Sequence, residues 1–183
     1  RGTLDSKMEV LNLDANTAVG EGAARQTFNI NGSGEKLAVL DTGVEPSHID
    51  YSSRLVIQKD YSGDGTGDVD GHGTHVSGTV LGDGSAEGGY HPGISQNGSL
   101  ISVKVLGDDG SGFSSDIQTG IEYAADKNAS VISMSLGGSN FQSTISNYND
   151  SVQYARTRGS VVVAAAGNDG GYEDINAPGS VPD

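Results

Sequence analysis

This 183-residue sequence predicts an α/β fold: a doubly wound parallel sheet with helices on both faces. Three observations predict it. Short continuous runs of Val, Ile and Leu recur, as in strands buried on both sides. Segments with helical spacing alternate with those runs. The residues with chemistry follow their strands directly: Asp41 after "LAVL", Ser135–Gly138 after "VISM" and Asn168 after "VVVAAAG". In such sheets, sites form beyond the carboxyl ends of the strands, so a shared edge points to a built site.

Residues 1–35 are polar and irregular, and 1–30 reads as a lead-in to a domain over 31–183. "EKLAVLDTG" predicts a strand ending at Asp41 and a turn. "RLVIQKD" predicts a second strand that runs into a Gly/Asp loop. Residues 72–81 open a small helix, and "GDGSAEGGYHPGISQNG" is a loop. "SLISVKVL" is another strand. "SSDIQTGIEYAADKNA" predicts a helix with Ser114 or Ser115 as its N-cap, carrying Ile117 and Ile121 at helical spacing. "VISMSLGG" is a strand, "STISNYNDSVQYARTRG" a helix and "SVVVAAAGN" a strand. The tail "NAPGSVPD" reads as an exposed loop, where proteolysis concentrates.

Composition narrows the function. The net charge of −14 disfavours nucleic acid, whose phosphates need Lys and Arg. The 29 glycines follow no repeat period, so collagen-like and solenoid readings fail. Without cysteine there is no disulfide, thiol catalysis or Cys-zinc site. No apolar run approaches the roughly 18 residues of a membrane span. The chain opens on Arg1 with no signal-peptide pattern, so upstream sequence is expected to have been removed or left out.

The motif "DGHGTHVSGTV" (70–80) admits several readings. As a dinucleotide fingerprint it has Val76 where the third Gly belongs, and no strand directly precedes it. As a zinc site, His72 and His75 lack the HExxH glutamate and a third ligand. No Walker A sequence occurs. "SMSLG" (133–137) nearly makes a nucleophile elbow, but that family runs Ser, acid, His, and no His follows Ser135. The remaining order is Asp, then His, then a later Ser.

With that order, "AVLDTG", "GHGTHVSGT", "VKVLGDDGSG", "SMSLGG" and "VVVAAAGNDG" together resemble the subtilisin-like serine proteases over residues 15–183. The resemblance implies an Asp–His–Ser endopeptidase acting on peptide or protein substrates. His72 becomes the general base and Asp41 the residue that fixes its tautomer. Asn168 becomes the oxyanion donor, whose loss costs roughly 10²–10³ in turnover. Gly110–Ser111–Gly112 and Ser135–Leu136–Gly137 flank an extended peptide. Ala165, Ala166 and Gly167, with Gly137 and Gly138, outline the primary specificity pocket. It holds no acidic residue, which implies a broad apolar preference. Ile117 lines a more distant pocket. Asp108 and Asp109 form either a negative rim or a solvated loop. His75 aligns with a non-catalytic histidine and is expected to be buried and hydrogen-bonded. Gly71 and Gly73 are expected to let the backbone turn and leave room for substrate.

The resemblance also implies Ca2+, with Asp50 in "HID" as a ligand. Asp60, Asp64, Asp68 and Asp70 are a second carboxylate set, with a solvated loop as the other reading. The family's nucleophile block, of Gly-Thr-Ser-Met-Ala type, does not occur before Asp183. The domain is therefore expected to be C-terminally incomplete and inactive alone, leaving an apolar face and a strand edge in water. Expected partners are the C-terminal remainder of the same protease and a prodomain inhibitor, without nucleic acid or membrane, in an extracellular setting. The alternative is a non-catalytic peptide-binding protein of the same fold.

Overall fold

The computed structural model describes residues 16, 18–138, 142–168 and 175–181. Most of the lead-in, and Asp169 and Gly170 of the Asn168 motif, lie outside the described residues. The chain runs α1 (Glu21–Phe28), β1 (Lys36–Asp41), β2 (Leu55–Asp60), α2 (His72–Leu81), β3 (Ser99–Lys104), α3 (Ser114–Asp126), β4 (Val131–Met134), α4 (Gln142–Thr157) and β5 (Val161–Ala164).

The five strands form one sheet in the order β2-β3-β1-β4-β5. Every pairing is parallel, with Asp41 opposite Lys104 and Met134 opposite Ala164. β1 lies at the centre, and the chain goes to one side of it and then the other. This is the doubly wound sheet that the apolar runs predict.

Period-two alternation sends side chains to two cores. Val39 and Leu100 pack with Val76 and Leu81 of α2 on one face. Ala38, Leu40, Ile101, Val103 and Ile132 pack on the other, against Ile117, Ile121 and Ala124 of α3 and Ala155 of α4. On α3, Ile117, Gly120, Ile121, Ala124 and Ala125 are the buried set, one apolar stripe of a 3.6-residue period. β5 is covered on one face only. Val162 packs on the α3 side, while Val161 and Val163 are 59% and 50% exposed.

Several boundaries differ from expectation. Residues 21–28 form a helix inside the stretch read as irregular. Ala23, Ala24, Arg25 and Gln26 are good helix formers, but none of its residues is buried, so no apolar stripe announces it. Arg25 Nη1 donates to Gln96 Oε1 at 2.9 Å and ties it to the domain. The N-cap of α3 is Phe113, with no side-chain cap hydrogen bond, so neither Ser114 nor Ser115 caps. The tail is not a free loop. Ala177 and Pro178 are buried, and Ala177 bridges Gly138 through paired backbone bonds of 3.0 and 3.2 Å. β3, β4 and β5 each stop short of the predicted strand. The residues after them leave the sheet, and those after β3 and β4 become the walls of a groove.

Candidate active site

Asp41 ends the central strand and is 1% exposed. A carboxylate so buried needs hydrogen-bond donors. Its Oδ1 takes the His72 Nδ1–H at 2.7 Å and the Thr42 N–H at 2.8 Å. An ionised carboxylate only accepts, so the imidazole carries its proton on Nδ1 and leaves Nε2 as a base. Burial pushes the Asp41 carboxyl above its ordinary value, opposed by the His72 hydrogen bond and the Thr42 amide. The hydrogen bond to Asp41 pushes the His72 imidazole up. Desolvation opposes this, and the charges of Asp41, Asp70 and Asp68 add to it.

His72 is the first residue of α2, where backbone N–H groups lack helical partners. Residues outside the helix supply acceptors. His72 N–H donates to Asp70 Oδ1 at 3.1 Å, Gly73 N–H to Thr42 Oγ1 at 2.9 Å and Thr74 N–H to Asp68 Oδ2 at 2.8 Å. Gly71 turns the chain into the helix at φ 92°, a conformation that favours glycine. Gly73 is glycine for another reason than the one expected. A Cβ there would lie 2.2 Å from the Gly43 carbonyl oxygen and 3.2 Å from Asp41 Cβ. It lets the helix start close against the chain that follows Asp41.

The second histidine behaves differently from expectation. His75 is exposed, because its place on α2 points away from both cores.

A groove of about 740 Å³ opens beside His72. Gly110, Ser111, Gly112 and Ile117 line it, as do Ser135, Leu136, Gly137 and Gly138. Thus the two segments after β3 and β4 face one space. Thr42, Leu106, Tyr148 and Ala177 line it as well and were missed by the sequence reading. Tyr148 is buried, and burial pushes its hydroxyl up to about 12. It arrives from α4, and its spacing marks it only as a core residue. Ala165, Ala166, Gly167 and Asn168 follow β5 and are exposed, outside the lining of this groove. Backbone bonds of 3.0 Å from Ala165 N–H to Met134 O and 2.9 Å from Asn176 N–H to Ala166 O hold that segment.

The acidic residues near the groove order its loops. Asp109 Oδ1 accepts from the Ser111 N–H and hydroxyl at 2.9 and 2.7 Å, shaping the Gly110–Gly112 wall. Asp108 Oδ1 takes a 2.9 Å hydrogen bond from Lys104 Nζ, which also donates to Thr42 O at 2.6 Å. Lys104 is fully buried, and these two acceptors offset the cost of burying its charge.

The carboxylates proposed for calcium are spent on the protein itself. Asp50 Oδ1 accepts the Ala86 N–H at 2.6 Å, and the Asp50 carbonyl is an acceptor for the Arg54 guanidinium. Calcium takes about six to eight oxygens. Around Asp50 there is instead a cation, and among the described residues no three His, Cys, Asp or Glu side chains gather as metal ligands do. Asp60 caps the turn at Ser62, Gly63 and Gly65, and Asp64 accepts from Asp108 N–H. As placed, these carboxylates do not gather into a cluster of acidic ligands.

Comparison with known proteins agrees with this geometry. The sequence model of the Subtilase family matches residues 32–183. Subtilisin of Bacillus sp. (strain TA39) is 40% identical over 164 residues, covering 85% of this chain and 39% of the relative. The thermophilic serine proteinase of Bacillus sp. (strain AK1) is 38% identical over 162 residues, 81% of this chain and 39% of the relative. Among solved structures, sphericase superposes with a TM-score of 0.73 at 41% identity, covering 82% of this chain and 51% of that one. A cold-adapted subtilisin-like serine proteinase gives 0.64 at 34% identity, 76% and 49%. The chain therefore spans about half or less of the length of these relatives.

Proposed function

The chain belongs to the subtilase family, and from that premise we propose that residues 31–183 are the acid–base half of a serine endopeptidase domain, with 1–30 as its lead-in. The observation that carries this is the 2.7 Å Asp41–His72 contact at the mouth of a two-walled groove. A peptide lies extended between Gly110–Gly112 and Ser135–Gly137, gripped through its backbone, so many sequences fit. His72 Nε2 takes the proton of a serine hydroxyl lying outside residues 1–183 and returns it to the leaving amine. Asp41 holds the ring and stabilises the imidazolium. Asn168 donates to the oxyanion of the tetrahedral intermediate. Ala165, Ala166 and Gly167 border the pocket for the residue before the scissile bond, and Ile117 a more distant one. Small walls without an acidic side chain support an apolar preference. The protease is secreted, works with its C-terminal remainder and is held by a prodomain until maturation. No described helix is long and apolar enough to cross a membrane.

The test is a fluorophosphonate probe on the parent protein and on residues 1–183. Labelling of one serine beyond residue 183, lost in His72→Ala, supports the proposal. A folded parent that binds peptides without labelling overturns it in favour of the peptide-binding reading.

A further inference from the structure

Asp68 has four hydrogen bonds converging on one carboxylate. Its Oδ1 accepts from Thr42 Oγ1 at 2.7 Å and Gly71 N–H at 2.9 Å. Its Oδ2 accepts from Thr74 N–H at 2.8 Å and Thr74 Oγ1 at 2.6 Å. The donors come from two places: the end of β1, one residue past Asp41, and the first turn of α2, on either side of His72. Thr42 closes the ring, since the hydroxyl that donates to Asp68 also accepts from Gly73 N–H at 2.9 Å. The Thr42 N–H is bonded to the same Asp41 oxygen that holds His72. Asp41 and His72 thus meet at one atom, while their backbones are joined behind that contact through Asp68.

Only an ionised carboxylate can accept all four of these bonds. An amide would turn an NH2 toward the Gly71 N–H or toward the Thr74 N–H, donor against donor. The electrostatics agree. Burial alone would raise the Asp68 carboxyl, but the hydrogen bonds from Thr74, Thr42 and Gly71 outweigh it and hold it below the usual carboxylate range.

We infer that Asp68 is a positioning residue for the Asp41–His72 pair, clamping the end of β1 to the first turn of α2 so that the imidazole is held against the carboxylate. This rests on the protease reading above. It assigns Asp68 no contact with substrate. Misplacing a general base by about 1 Å costs about 100-fold, so releasing the clamp lowers kcat while leaving the groove intact.

The experiment uses the parent protein, with a fluorophosphonate label on wild type to establish that a reactive serine exists. If wild type does not label, the protease reading fails, and with it the premise of this one. In a protein that labels, Asp68→Asn is expected to lower kcat about 10- to 100-fold with KM changed less than about threefold. Thr42→Val, which cuts the ring without touching a charge, is expected to do the same, and Thr42→Ser to recover most of the loss. The pH profile separates the variants. Asp41, Asp70 and Asp68 are the charges acting on His72, so Asp68→Asn moves the acid limb of kcat/KM to lower pH, while Thr42→Val leaves it in place. Unchanged kcat in both Asp68→Asn and Thr42→Val, or a loss confined to KM, overturns the inference. Where Asp68→Asn does not fold, the Thr42 pair decides alone.

Discussion

The carboxyl edge of the sheet is built in two different ways. At its centre, Asp41 and Lys104 sit opposite one another and are buried, and the atoms about them are held by side-chain hydrogen bonds. At the β5 end, Ala165 through Asn168 are exposed, Ala165 and Ala166 are held by backbone bonds, and Val161 and Val163 of the strand beneath face outward. The difference fits the charge each end would handle under the proposed function. A carboxylate that stays ionised out of water must be solvated by the protein at all times. A donor for an oxyanion, the role proposed for Asn168, meets charge only in the transition state. Asp41 Oδ1 and His72 Nδ1 are partnered within the described residues, whereas Ala165 through Asn168 lie open to water.

The sharpest way to break that comparison is to remove the acid–base end. In the parent protein, His72→Ala is expected to lower kcat by about 10⁶. Asp41→Asn is expected to lower it by about 10⁴, because the amide stabilises the wrong tautomer. Both are read with a chromogenic peptide. At the other end, Asn168→Ala is expected to cost about 10²–10³ in kcat with little change in KM. A loss as large as that of Asp41→Asn would erase the distinction between the two ends.

Stability should follow the same division. Ile101→Ala, at the fully buried centre, is expected to cost about 2–5 kcal/mol in urea unfolding. Val163→Thr is expected to stay within about 0.5 kcal/mol. A larger loss would mean that the outer face of β5 is covered in the protein measured.

The smallest effect concerns pH. His72 must be neutral to act as base, and Asp41 pushes its imidazole up. The acid limb of kcat/KM is therefore expected above the ordinary histidine value of 6.5, and Asp70→Asn should move it down. Folding responds with the opposite sign. A raised histidine contributes stability fully below 6.5 and loses it as pH climbs through the folded value. Parallel pH titrations of rate and of unfolding should thus diverge through His72.

The pairing of Asp41 with His72 was legible in the sequence. Asp41 ends a run of apolar residues and His72 opens a helix, and both facts are local. The residues that hold them were not legible. Thr42, Asp68 and Asp70 read as turn and loop chemistry and Thr74 as part of a helix, because the acceptor for Gly73 N–H lies in β1's exit and the donors for Asp68 lie on both sides of it in sequence. Aspartates in a Gly-rich stretch look like solvated residues or metal ligands, and only folding showed them to be spent on backbone amides. Ser114 failed as a cap because the chain enters α3 one residue earlier, at Phe113. His75 failed because a surface helix of ten residues leaves part of its circumference in water.

The central position of β1 has a kinetic consequence. It is the first of the five strands to be synthesised, yet its two partners begin only at Ser99 and Val131. At roughly 5–20 residues per second, the segment ending in Asp41 waits several seconds on the ribosome before either neighbour exists. Pairings this distant in sequence also close slowly. The central strand of the sheet is thus the one left longest without company, and Asp41 emerges well before the segments that line the groove.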